Sequence, residues 1–79
     1  MGRPGAQDAG YERFCRRLGR RIAGLRQDRG LTQEDMGRFG FAWRRYQRIE
    51  AGQPITMRTA YRLAKAFSVS VGDLVGDIT

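Results

Sequence analysis

LTQEDMGRFGFAWRRYQRIEAG, residues 31–52, contains the turn on which the fold of this chain depends. Thr32 stands where a helix can begin, because its hydroxyl can accept from the first backbone N–H groups, which lack partners inside a helix. Gln33, Glu34 and Asp35 follow, so acidic side chains meet the positive end of the helix dipole, and the T-x-x-D spacing is a weaker relative of the capping box. Gly37, Phe39 and Gly40 end that helix early, and Gly40 offers the left-handed residue of a tight inter-helix turn. FAWRRYQRIEA then reads as another helix, stopped by Gly52 with Pro54 just beyond. The spacing predicts one helix over about 32–38 and the next over about 42–51.

Upstream, Phe14, Leu18, Ile22 and Leu25 recur at intervals of four, four and three, a helical stripe flanked by Arg13, Arg16, Arg17, Arg20 and Arg21. Gly30 supplies its stop. Residues 1–9 are rich in Gly, Pro and Ala and unpatterned, which predicts a flexible tail ahead of a single domain over 10–79. Downstream, Thr56 caps MRTAYRLAKAF, where Met57, Ala60, Leu63, Ala64 and Phe67 share a face. Ser70, with Asp73 three residues on, opens a short last helix carrying Val71, Leu74 and Val75. No strand pattern of any length interrupts these segments. The expected fold is therefore all-α, a compact bundle of five short helices.

Composition narrows the partner. The 79 residues carry 15 basic and 8 acidic side chains, a net charge of +7, so the partner is expected to be anionic. Only Lys65 among the basic residues is a lysine, and the arginine fork matches phosphate and guanine better than an ammonium does, although arginine usage also follows from a GC-rich genome. With no His and a single Cys15, neither a zinc site nor an internal disulfide is expected, and no nucleophile stands beside a base. No enzyme activity, cofactor or small-molecule ligand is expected. No apolar run is long enough to span a bilayer, and MGRPGAQDAG lacks the apolar core of a signal peptide, which predicts a cytoplasmic protein.

Winding residues 41–51 at about 100° per residue separates two faces. Ala42, Tyr46 and Ile49 fall on one side with Glu50 at its edge. Arg44, Gln47, Arg48 and Ala51 fall on the other, with Arg45 on a flank. Arginine matches guanine O6 and N7, and glutamine matches adenine N6 and N7, so Arg44 and Arg48, with Gln47 as a third, are the candidate readers of base edges.

Two short helices joined across a glycine turn, the second one basic, form a helix-turn-helix arrangement. The LTQE start at 31–34, the RIEAG end at 48–52 and LAKAFSVSVGDL at 63–74, at these spacings, closely resemble the phage repressor and Cro-like (XRE-type) DNA-binding family over about residues 18–76. The resemblance implies a lambda-repressor-like bundle that binds double-stranded DNA as a homodimeric transcriptional regulator. It adds Ala42 and Trp43 at the start of the reading helix as base contacts. It also gives Gln33 and the adjoining Thr32 a phosphate at the N-terminus of the helix before it. Gln53, Thr56 and Arg58 then approach the backbone across the groove, with Arg45 beside them. It further implies that Glu50 pairs with Arg26.

Two departures from the family pattern carry consequences. Met36-Gly37 stands in place of a Leu-Ala pair, and the segment before the turn glycine is one residue short, which implies a tighter or shorter second helix. Ala42 replaces the common Ser N-cap, leaving an N–H without a side-chain acceptor at a cost of about 1 kcal/mol. The apolar residues Val69, Val71, Leu74, Val75 and Ile78 are candidates for closing a dimer. An alternative reading makes the chain an antitoxin or interaction module that presents FAWRRYQR to an acidic protein partner, since Trp, Tyr and Arg are also enriched in protein hot spots.

Overall fold

The computed structural model describes residues 4–76, and every regular element among them is helical. Helix α1 spans Pro4–Asp28, the 3-10 helix η1 Glu34–Phe39, α2 Trp43–Glu50, α3 Met57–Phe67 and α4 Val71–Val75. The five helices surround one core in which Ile22, Met36, Tyr46, Leu63, Phe67 and Leu74 are fully buried. Each helix contributes at least one of these six side chains. Phe14, Leu31, Ile55, Val69, Val71 and Val75 pack around them as a half-buried rim, while Ile78 lies outside the described residues.

The first helix begins earlier than its apolar stripe suggests. Pro4 is helical, so the tail expected over residues 1–9 is part of α1 from Pro4 onward. Proline suits a helix start, where its fixed φ is already helical and its missing N–H has no partner to lose. Leu18, Ile22 and Leu25 are buried as the stripe predicts, and Cys15 is buried beside them. Gly30, at φ 68°, then reverses the chain.

The second helix departs in type. The expected α-helix over 32–38 is a 3-10 helix starting at Glu34. A 3-10 turn rises about 2.0 Å per residue against about 1.5 Å in an α-helix, so a segment one residue short still spans the distance to the turn. Thr32 organises its start as a reciprocal box. The Asp35 N–H donates to Thr32 Oγ1 at 3.1 Å, and the Thr32 N–H donates to Asp35 Oδ2 at 2.8 Å. Gly40 closes the element in the left-handed region at φ 88°.

Helix α2 is shorter than the expected 42–51, with Ala42 extended at its N-cap and no side-chain cap hydrogen bond. Ala42 is also exposed rather than turned inward with Tyr46 and Ile49, because the extended N-cap lies off the helical face. In α3 the Thr56 hydroxyl accepts from the Thr59 N–H as predicted, yet Met57 is 74% exposed, so the buried stripe starts only at Ala60. Ser70 caps α4 by accepting from the Asp73 N–H at 2.9 Å.

Candidate nucleic-acid interface

The basic segment sorts into two faces once it is wound. Tyr46 and Ile49 are buried, at 0% and 4% exposure, and hold α2 to the core. Arg44, Arg45 and Arg48 are exposed, Gln47 is half-buried beside them, and Trp43 is 52% exposed on the first turn. Arg44 and Arg48 are one turn apart and therefore share a face. Ala42 and Trp43 stand together at the N-terminal entrance of this surface.

At the other end of α2 the chain folds back to form a cleft of about 250 Å³ lined by Arg45, Arg48, Ile49, Gln53, Pro54, Ile55 and Thr56. Four of the candidate contact residues, Arg45, Arg48, Gln53 and Thr56, thus come together in one polar recess. Arg58 is exposed on the first turn of α3, one residue beyond Met57. Thr32 is exposed, but its hydroxyl is the acceptor of the η1 box. The Thr56 hydroxyl likewise serves as the α3 cap and donates to Thr59 Oγ1 at 3.2 Å.

Gln33 is held differently from the phosphate-facing residue that the resemblance implies. Its Nε2 donates to Glu50 Oε1 at 2.9 Å, so this amide is part of the frame as well as half-exposed at the head of η1. Glu50 also accepts from Arg26 Nε at 2.6 Å and Nη2 at 3.2 Å, and Arg26 Nη1 reaches the Leu31 carbonyl at 2.7 Å. Three segments are joined here: the end of α1, the approach to η1 and the end of α2. Burial pushes the Glu50 carboxyl up, but hydrogen bonds, chiefly from Arg26, outweigh burial and hold it below its ordinary value. Burial pushes the neighbouring Tyr46 hydroxyl far above the usual phenol range.

One residue at this surface carries no signal in the sequence. Arg62, half-buried on α3, donates through Nη2 to the Phe39 carbonyl at 3.2 Å and the Gly40 carbonyl at 3.0 Å. Its guanidinium also lies 4.5 Å from the Phe41 ring centroid. The local pattern around Arg62 is that of any exposed helix position, so only the fold reveals these contacts.

A half-exposed basic helix, seated on a glycine turn and a short preceding helix, defines the class: a helix-turn-helix DNA-binding protein. The helix-turn-helix family model matches residues 22–74, and the chain belongs to this family of repressor and Cro-like DNA-binding transcription regulators. No curated protein and no solved structure matches it. Among the described residues no helix is long and apolar enough to cross a membrane.

Proposed function

We propose that this chain regulates transcription as a homodimer on a two-fold symmetric operator, with α2 in the major groove of each half-site. The observation that supports this reading is the split of α2: Arg44 and Arg48 face outward one turn apart while Tyr46 and Ile49 anchor the opposite side. Arg44, Arg48 and Gln47 would read base edges, guanine for the arginines and adenine for the amide. Ala42 and Trp43 would meet the apolar part of the groove, with Ala42 against a thymine methyl. Arg45, Gln53, Thr56 and Arg58 would take phosphates on one side of the groove, and Thr32 and Gln33 would do so on the other, at the head of η1. A single helix reads few bases, so useful specificity calls for two half-sites about one helical turn apart.

An apolar cleft of about 340 Å³ supports the second copy. Tyr11, Phe14, Met57, Val71 and Val75 line it, and Tyr11 and Met57 are largely exposed. Selection of bound duplexes from a random pool tests the whole reading. Recovery of an inverted repeat with half-sites about 10 base pairs apart is the expected result. Failure to enrich any sequence would overturn base reading, and recovery of one unpaired half-site would overturn the dimer.

A further inference from the structure

The entrance to α2 has no local device to set its direction. Its N-cap is Ala42, and no side chain accepts from the first free N–H groups. The preceding turn is held by only two backbone bonds, Gly40 N–H to the Gly37 carbonyl at 3.0 Å and Phe41 N–H to the Met36 carbonyl at 3.3 Å. Phe39 is the last residue of η1 and Gly40 its C-cap, where a helix end leaves its last carbonyls without partners inside the helix. Arg62 satisfies both of them from α3, across more than twenty residues of chain.

The same guanidinium fixes the side chain that follows the turn. It lies over the Phe41 ring, and Phe41 meets Tyr46 edge-on with ring centroids 5.9 Å apart and planes at 61°. Both rings are buried, at 4% and 0% exposure. Tyr46 lies on the inner face of α2, opposite Arg44 and Arg48. One continuous set of contacts therefore runs from Arg62 through Phe41 to the helix that carries the reading residues. Gly40 is part of the same arrangement, since a Cβ there would stand 2.7 Å from Arg62 Nη2.

We propose that Arg62 is a positioning residue for DNA reading: it braces the turn ahead of the uncapped α2 and sets the angle at which Trp43, Arg44 and Arg48 enter the groove. This rests on the operator-reading function proposed above. Arg62 acts through the turn carbonyls and the Phe41 ring, not through a phosphate. A planar fork is required, because a lysine ammonium can bond a carbonyl but cannot also lie flat on the ring.

Arg62→Lys and Arg62→Met, measured in the full chain, test this on two duplexes: the operator recovered by selection and a scrambled duplex of equal length. Both variants should lose about tenfold on the operator, the worth of one well-made bidentate base contact. Binding to the scrambled duplex should stay within about twofold, with the same salt slope, because no phosphate contact is removed. In the free protein, amide resonances of residues 41–46 should shift and exchange faster with solvent in Arg62→Lys. Operator affinity unchanged in Arg62→Lys would overturn the proposal. So would an equal loss on both duplexes with a shallower salt slope, which marks a phosphate contact. If Arg62→Met fails to fold, Arg62→Lys carries the comparison. If the native chain itself does not distinguish the duplexes, the operator reading has failed, and the amide measurement alone decides whether Arg62 positions α2.

Discussion

Arg26 and Glu50, 24 residues apart in the chain, meet in a two-bond ion pair with side chains only 10% and 8% exposed. The pair joins the end of α1 to the end of α2, and Gln33 adds the head of η1 through the same carboxylate. Each group is costly to bury alone, and each removes that cost for the other. Glu50 is thus the acid that the otherwise basic α2 requires for its seating.

Removing one partner strands a buried charge. Arg26→Met should lower the unfolding free energy by about 3–5 kcal/mol, and Glu50→Gln by somewhat less because its amide can still accept. Urea unfolding followed by circular dichroism measures both. A change below about 1 kcal/mol in Arg26→Met would mean that the pair behaves like an exposed one.

Acid should weaken the same junction. Burial raises the Glu50 carboxyl, but the hydrogen bonds from Arg26 and its neighbours more than reverse this, leaving the folded value below the unfolded one. The stabilisation is therefore complete above the unfolded carboxylate range, near pH 4.3, and is lost as pH falls through the lower folded value. Urea midpoints between pH 7 and pH 3 should fall less steeply in Glu50→Gln than in the native chain. Parallel curves would assign the acid sensitivity elsewhere.

Two glycines of α1 should respond oppositely to alanine. A Cβ at Gly19 would lie 2.5 Å from the Glu50 carbonyl oxygen, a backbone atom that cannot step aside, so α1 and α2 touch there. Gly24 has nothing within 4 Å of the same added atom. Gly19→Ala should destabilise by about 1–3 kcal/mol, and Gly24→Ala should stabilise by about 0.5–1 kcal/mol through helix propensity alone. Thermal melts distinguish them, and equal midpoints would refute the close crossing.

The exposed arginines should separate by role. Arg44→Ala and Arg48→Ala should each cost about 1–3 kcal/mol on the operator and relax preference at one base position per half-site. Arg58→Ala should weaken operator and scrambled duplex alike and reduce the salt slope by about one counterion. Quantitative binding to an operator set with single-base changes reads both patterns. Unaltered discrimination in all three variants would remove α2 as the reader.

What the sequence determined by itself was local. Thr32, Thr56 and Ser70 announce helix starts because a hydroxyl and the N–H groups it serves lie within three residues of each other. Gly30 and Gly40 announce turns because only backbone freedom is involved. Residues 43–50 separate into inner and outer faces from helical period alone, so the candidate readers Arg44, Gln47 and Arg48 could be named before any packing was known. Set against the family pattern, the segment one residue short before Gly40 implied a tighter or shorter second helix, although not that it would be 3-10.

Tertiary structure decided what depends on meetings across the chain. Helix propensity at Pro4–Ala9 is weak and unpatterned, so the early start of α1 was not legible. Met57 follows the stripe of α3 yet stands 74% exposed at the edge of the apolar cleft, while Thr59 and Ala60 on the same turn are buried. Gln33 turns to Glu50, 17 residues away, and Arg62 reaches the Phe39 and Gly40 carbonyls from α3. Such contacts have no period or spacing of their own. They exist because the folded helices bring a buried carboxylate, and the carbonyls at the end of η1, within reach of side chains from distant segments, and at Glu50 burial makes an unpaired charge costly.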